Sequence, residues 1–240
     1  MNIIRRASVF TAATAMGALV IFAASGCGGA RTAVTTNGLE KKTGAQVARD
    51  AAGAIEAAKS VHVKGVIFGP RYRFDVRIQG ADRAGTETLA GGQAQVVIIG
   101  SDTGIGSADT YLKAGPEVLA KNFRASAPVR LLAGRWLKVP PAVGVSLEGY
   151  GFSLQGFGTA LVTFFSPPEP TVRQAVLDGR KVVVVSYRDG SKLYVANTGP
   201  AYPLRWDNKG PGAGWTDFTK YGANFHIAAP GNVIDLTGQG

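Results

Sequence analysis

The sequence predicts an α+β domain with one large twisted antiparallel sheet and helices gathered on one face of that sheet. Apolar and polar residues alternate in many short segments from Ser60 onward, and short Gly-rich turns separate these segments. This pattern is typical of antiparallel strands joined by short connections. Helical periodicity is strong in only two places, before Ser60 and around residue 155. No repeat or second domain stands out.

The predicted elements follow one another as one helix, a run of strands, an aromatic-rich helix and a second run of strands. Five consecutive segments with short connections predict an antiparallel meander. The predicted helices are 46–59, one or two turns within 116–123, an aromatic-rich helix within 147–165, and a short helix at 171–177. The predicted strands are 60–68, 71–79, 85–89, 93–99, 108–114, 134–139, 180–187, 192–196, 202–207 and 214–220, with an extended tail at 226–236.

The first 26 residues have the three-part pattern of a secretory signal peptide. Arg5 and Arg6 precede an apolar run rich in Ala and Gly, and small residues lead to Cys27. The segment around Cys27 resembles a bacterial lipobox, whose thiol receives a lipid. An ordinary signal peptide or a buried N-terminal helix is the alternative, whereas the run is too short and too weakly apolar for a good membrane span. We expect an extracytoplasmic protein held at the cell membrane by acyl chains, such as palmitate, on Cys27.

Composition limits the remaining possibilities. The chain has 240 residues, so after the signal we expect a flexible tether over 27–44 and a single domain over 45–240. The net charge of +10 suits anionic lipid head groups, but it also suits simple solubility. Nucleic acid is not an expected partner, because no Lys/Arg run with interleaved aromatic residues is present. The single cysteine leaves no intramolecular disulfide.

The aromatic-rich segment is the main candidate for a binding element. Its large apolar residues recur at spacings of three and four, which places them on one helical face. Glycines within it each cost about 1 kcal/mol relative to alanine, so the predicted helix is apolar but loose. With the inward faces of the strands it either forms a filled core or leaves an apolar cavity. The candidate cavity-lining residues are Val63, Ile67, Phe74, Val76, Ile78, Tyr150, Leu154, Phe157, Leu161, Phe164, Phe165, Val183 and Val185.

Signatures of catalysis are scarce. The two histidines, His62 and His226, have no cysteine or carboxylate at metal-ligand spacing. A G-x-S-x-G pattern is incomplete, because Gln155 stands at its last position. Carboxylates such as Asp75 and Glu87 are expected at turns or on solvated faces. We therefore expect no enzyme, no metal site and no cofactor.

Several segments together resemble a known family. They are residues 60–65, the strand at 134–140, residues 202–205 and the segment 230–234, following a lipobox and a tether. In these features the chain is similar to actinobacterial lipoproteins of the LppX/LprA/LprF/LprG type, which are similar to LolA. The resemblance implies a half-barrel sheet wrapped around helices on its concave face, with an apolar cavity for acyl chains.

The function implied by this resemblance is to bind a membrane lipid or lipidated ligand and to carry or present it in the cell envelope. A second interpretation remains open at this stage. A surface-anchored interaction or sensing module with a filled core would act through a protein partner, such as an envelope transporter or regulator. Its contact surface would be the basic strand face of Arg71, Arg73 and Arg77.

Overall fold

A computed structural model of the chain describes residues 35–90, 92–100, 108–122, 129–140, 153–164, 170–210 and 212–238. The helices are α1 Gly44–Ala57, α2 Pro116–Asn122, α3 Val129–Leu132 and α4 Leu154–Phe164, with short 3-10 turns at Leu39–Lys41 and Gly69–Arg71. The strands are β1 Ser60–Ile67, β2 Tyr72–Gln79, β3 Asp82–Leu89, β4 Gly92–Ile99, β5 Asp109–Ala114, β6 Trp136–Lys138, β7 Thr171–Leu177, β8 Arg180–Ser186, β9 Lys192–Ala196, β10 Pro203–Asn208, β11 Gly214–Thr219 and β12 Val233–Asp235.

All twelve strands form one open sheet in the order β12-β6-β5-β4-β3-β2-β1-β11-β10-β9-β8-β7. Strands β1 to β6 form one meander and β7 to β11 a second, and antiparallel pairing of β1 with β11 joins them. The predicted α+β class, the large sheet and the five-strand meander are confirmed. The tail differs from the prediction, because only Val233–Asp235 forms a strand and it runs parallel to β6, so this edge of the sheet is mixed.

Helix α1 begins at a well-formed cap. The Thr43 side chain accepts a hydrogen bond from the Gln46 backbone N–H at 3.3 Å, and the Gln46 side chain accepts one from the Thr43 N–H at 2.9 Å. This reciprocal capping box satisfies two backbone donors at the start of the helix. Val47, Ala51 and Ile55 lie on one buried face, as their spacing predicts.

The chain packs against the domain before α1 begins. Leu39 is buried, and the Asn37 side chain donates hydrogen bonds to the carbonyl oxygens of Ala196 and Gly199, both at 3.0 Å. The packed region therefore reaches further toward the N-terminus than the predicted domain boundary at residue 45.

The prediction of a short helix at 171–177 is wrong, because these residues form edge strand β7. They pair with β8 along their whole length, from Thr171 opposite Ser186 to Leu177 opposite Arg180. Asp178 and Gly179 connect the two strands with φ values of 48° and 77°. Two consecutive left-handed residues make the tight turn that matches the twist of a hairpin. The hairpin thus overrides the helical spacing of Val172, Ala175 and Val176.

The register shows which side chains share a face, because residues directly opposite each other across a ladder point to the same side of a sheet. We call the side that carries Val63 the inner face and the opposite side the outer face. Helices α1 and α4 pack on the inner face, in the same core cluster as Val63. The ladders continue this face across the sheet through Val63, Val76, Gly85, Val96, Leu112, Leu137 and Ile234.

Candidate functional site

The largest apolar surface of the domain is the inner face under α1 and α4. Strands β1, β2, β8, β9 and β11 supply its floor, and the two helices supply its cover. The cluster consists of Leu39, Val47, Ala48, Ala51, Ala52, Ile55, Val61, Val63, Tyr72, Phe74, Val76, Ile78, Leu154, Phe157, Leu161, Val183, Val185, Leu193, Val195 and Phe218. We call it the main cluster.

Helix α4 contributes an apolar face to the main cluster. Ser153 precedes the helix, and its side-chain oxygen accepts a hydrogen bond from the Gly156 N–H at 2.8 Å, which caps the N-terminus. Leu154, Phe157 and Leu161 are buried, and the Phe157 ring meets the Phe218 ring edge-on with centroids 5.3 Å apart. None of the eleven residues of α4 carries a charge. The helix is therefore held by apolar contact rather than by ion pairs.

Helices α1 and α4 approach each other closely at Gly158. A side chain at this position would meet the end of the exposed Glu56 side chain of α1 and no backbone atom. The sequence pattern did not reveal this neighbour.

A second apolar cluster covers the same inner face on the other side of β3. It lies over β4, β5 and β6 under helices α2 and α3, and the sequence interpretation did not single it out. Its buried members are Leu89, Ala94, Val96, Ile98, Leu112, Ala114, Val118, Leu119, Leu132, Leu137, Val139 and Leu236. The inner face is thus apolar on both sides of β3.

Strand β3 places polar side chains between the two clusters. Glu87 and Arg83 are 1% and 4% exposed, and the Tyr72 hydroxyl donates a hydrogen bond to Glu87 Oε2 at 2.8 Å. Burial raises the pKa of the Glu87 carboxyl, although the nearby Arg83 charge and the Tyr72 hydrogen bond oppose this effect. The prediction of a solvated position for Glu87 is wrong. Its register opposite Phe74 and Ala94 turns it toward the inner face.

The buried Glu87 makes a pH-dependent contribution to stability. Because its pKa is raised in the folded state, stability is lost as pH rises from the ordinary value of 4.5 through the raised value. We expect the free energy of unfolding of the native chain, measured with urea, to fall across this window relative to that of Glu87→Gln. The exposed Glu117→Gln serves as a control and should follow the native curve. Parallel curves for the native chain and Glu87→Gln would contradict this assignment.

Most of the predicted cavity-lining residues lie together in the structure. Val63, Phe74, Val76, Ile78, Leu154, Phe157, Leu161, Val183 and Val185 belong to the main cluster, and the partly buried Ile67 packs against it. Phe164 ends α4, and its side chain is outside the described part of the structure, as are Cys27, Tyr150 and Phe165. The grouping of these residues is observed, and their role in lining a cavity stays a prediction.

The outer face of β10, β11, β1 and β2 bears a ladder of alternating charges, whereas the outer face of β8 and β9 carries a small buried apolar cluster with Val182, Val184 and Ala196. Arg205, Asp217, Lys64 and Asp75 lie opposite one another on β10, β11, β1 and β2. Arg205 Nη1 is 3.4 Å from Asp217, and Lys64 Nζ is 3.7 Å from Asp75. His62 Nε2 contacts Asp75 Oδ1 at 2.7 Å, so this histidine has a partner on the polar face. Opposite charges directly across a ladder stabilise the sheet modestly.

Two shallow hollows of about 290 and 410 Å³ flank Trp215 on the outer face. Charged and amide side chains form much of their lining, among them Arg73, Asp75, Asp207 and Asn208. Such a lining is unsuited to hydrocarbon. Arg71, Arg73 and Arg77 are all exposed, and their role as a contact for a protein partner remains a prediction.

Within the described ranges, no group of three or more His, Cys, Asp or Glu side chains could hold a metal ion. Nor does any helix described here have the length and apolarity needed to cross a membrane.

The fold and its apolar inner face can be set beside known proteins. No family model and no curated protein matches the chain. Among solved structures it is similar to LprF from Mycobacterium bovis, with 16% identity, 78% of this chain and 96% of that chain covered, and a TM-score of 0.49. It is also similar to the Mycobacterium tuberculosis lipoprotein LppX, with 13% identity, 77% and 98% covered, and a TM-score of 0.47.

Proposed function

We propose that the protein is a non-enzymatic lipoprotein, anchored to the cell membrane through Cys27, that binds lipid acyl chains between the inner face of its sheet and α4. It would carry or present these lipids in the cell envelope. The observation that carries the proposal is the main cluster, an apolar part of the inner face that lies under a helix without charged residues. A second apolar cluster lies on the same face beyond β3. Apolar ligands are bound by such surfaces.

Helix α4 is suited to give way to a ligand. It has eleven residues, and helices shorter than about 12–15 residues are marginal without tertiary contacts. Gly156 and Gly158 lower its intrinsic stability further. Its attachment to the main cluster depends on Leu154, Phe157 and Leu161. An acyl chain could replace these contacts with others of the same chemistry.

The free energy needed to displace α4 sets a minimum length for the acyl chain of the ligand. Burying each of three large apolar side chains contributes roughly 1.5–3 kcal/mol, so displacing α4 from the main cluster costs about 5–9 kcal/mol. Each buried methylene of a ligand returns about 0.8 kcal/mol. A chain of about 6–11 methylenes is therefore needed to offset the displacement. We expect long-chain fatty acids of about sixteen carbons to bind and short-chain ones of about six carbons to bind poorly.

The experiment is displacement of a fluorescent fatty acid from the purified protein by unlabelled fatty acids of increasing length. Phe157→Trp should lower displaceable binding, because the larger ring takes up space between the sheet and α4 that the acyl chain would use once the helix moves. Leu131→Trp is the matched control, because Leu131 is 69% exposed and should leave binding unchanged.

A different result would show that the inner face is a filled core. In that case the native protein would bind no fatty acid of any length, and neither Phe157→Trp nor Leu131→Trp would change the displacement signal.

A further inference from the structure

The turn between β1 and β2 presents an aromatic side chain to solvent. Phe68 is 58% exposed, one of three large apolar side chains exposed in the described part of the chain. Its backbone is left-handed, with φ 56° and ψ 39°. Bulky side chains rarely adopt this conformation, and retained backbone strain often accompanies a functional role. The strained backbone together with the exposed ring makes this turn a candidate for a functional role.

Hydrogen bonds hold this turn firmly in place. The Phe68 N–H donates to the Gly212 carbonyl at 3.2 Å, and the Gly69 N–H donates to the Ala213 carbonyl at 2.8 Å. The Phe68 ring lies over Gly212, where a side chain would come within 3.4 Å of it. The ring thus packs on the β10–β11 loop while more than half of it stays exposed.

Three turns meet at this end of the sheet. The β10–β11 loop, which contains Lys209, contacts the β1–β2 turn through Gly212 and Ala213 and the β8–β9 turn through a bond from the Lys209 N–H to Ser191 Oγ at 2.9 Å. We call these three turns the tip.

The tip carries more positive than negative charge. Arg71, Arg188 and Lys209 are exposed there, and Arg73 follows on β2. The acidic residue described in these turns is Asp189, whose carboxylate accepts hydrogen bonds from the Ser191 N–H at 2.9 Å and from Ser191 Oγ at 2.8 Å. Nearby Asp207 is paired with Arg205 Nε at 2.8 Å. The tip therefore carries exposed cationic side chains around one exposed aromatic ring.

We infer that the tip is a membrane-docking element that inserts Phe68 into the interface of a bilayer containing anionic lipids. Anionic head groups attract Lys and Arg side chains, and aromatic rings favour the boundary between head groups and acyl chains. A bilayer surface of this composition would contact the cations and the aromatic ring together.

The tip lies at the end of the sheet opposite the entry of the N-terminal segment. Asn37 bonds to Ala196 and Gly199, past the far end of β9, whereas Lys192 at the start of β9 follows the β8–β9 turn of the tip. Docking through the tip would therefore be a second membrane contact, separate from any lipid on Cys27.

The test uses the full chain with Phe68→Trp, reconstituted into vesicles whose phospholipids carry brominated acyl chains. Bromine quenches only tryptophan that reaches the bilayer, and the unsubstituted chain with its three tryptophans gives the background. We expect added quenching in vesicles of phosphatidylcholine with phosphatidylglycerol, and little in phosphatidylcholine alone. High salt should relieve the quenching, because it screens exposed charges.

Variants in which cationic side chains are replaced by glutamine distinguish docking through the tip from simple proximity to the membrane. In the Phe68→Trp background, Arg71→Gln with Lys209→Gln should lower the ratio of inserted to free tip roughly 20- to 30-fold. Arg180→Gln with Lys181→Gln removes two exposed cations at the opposite end of the sheet and should have no effect. Fatty-acid displacement should be unchanged in both pairs, so failure of docking and failure of lipid binding can be told apart.

Four outcomes would overturn the inference. The first three are an absence of quenching in anionic vesicles, equal quenching in neutral and anionic vesicles, and quenching that survives the Arg71→Gln and Lys209→Gln changes. The fourth is protection of the tip by a co-purifying envelope protein when protein-free vesicles give no response.

Discussion

Phe218→Ala is expected to lower the free energy of unfolding by about 3–5 kcal/mol, because the substitution removes a fully buried ring from a packed core. Phe218 is 1% exposed on β11 and contacts Phe157 of α4 edge-on. The change removes the contact that joins the sheet to α4, so we also expect α4 to become more accessible to proteolysis. Chemical denaturation and limited proteolysis measure the two effects.

Phe68→Ala is the matched control for this prediction. It removes the same side chain from a position that is 58% exposed, so stability should change by no more than about 0.5 kcal/mol. A loss below about 1 kcal/mol for Phe218→Ala would mean that Phe218 borders free space rather than packed side chains.

Gly85→Ala is expected to destabilise the domain by about 3 kcal/mol or more. A side chain at residue 85 on β3 would overlap the carbonyl oxygen of Asp75 on β2 and approach Val76 Cα to 2.7 Å. Both obstacles are backbone atoms in the middle of the sheet, so relief requires moving one strand against the other. Glycine inside a strand marks such close approaches.

Gly53→Ala is the same chemical change as Gly85→Ala, but it is expected to raise the stability of the domain rather than lower it. Gly53 lies on the exposed side of α1, and a side chain there would meet nothing within 4 Å. Because alanine favours a helix over glycine, this variant should be more stable by about 1 kcal/mol. Thermal and urea unfolding of the two variants measure whether the free energy of unfolding falls for Gly85→Ala and rises for Gly53→Ala. An equal change in the two variants would show that β2 and β3 do not make the close contact described at residue 85.

The strand pattern explains why much of the sheet is predictable from the sequence. Tyr72, Phe74, Val76 and Ile78 are buried in alternation with exposed arginines and Asp75, as their spacing predicts. The run Val182 to Val185 lacks alternation, and its residues are buried on both faces of the sheet. Such local patterns reflect which side of a strand meets the core.

The errors arise where partners distant in sequence decide the outcome. Residues 171–177 have helical spacing, but the β8 partner and the turn at Asp178 make them a strand. Glu87 follows the same logic, because only its register against Phe74 and Ala94 turns it inward. Sequence periodicity contains none of these pairings.

Part of the candidate site is likewise predictable from the sequence, and part of it is not. Alternation and helical spacing correctly grouped Val63, Phe157 and Val183 in one cluster. The second cluster over β4 to β6 depends on α2 and α3, whose short sequences show little periodicity. The polar residues of β3 between the two clusters were not predicted either, because their burial follows from the order of strands in the sheet.

Native mass spectrometry of the protein purified from its own cell envelope tests lipid binding by the inner face most directly. Our account predicts a population whose mass exceeds that of the processed, acylated chain by one non-covalently bound lipid. That lipid should be lost on gentle activation and be less abundant in Phe157→Trp than in Leu131→Trp. A single lipid-free mass for the native protein, even after incubation with long-chain lipids, would contradict the account.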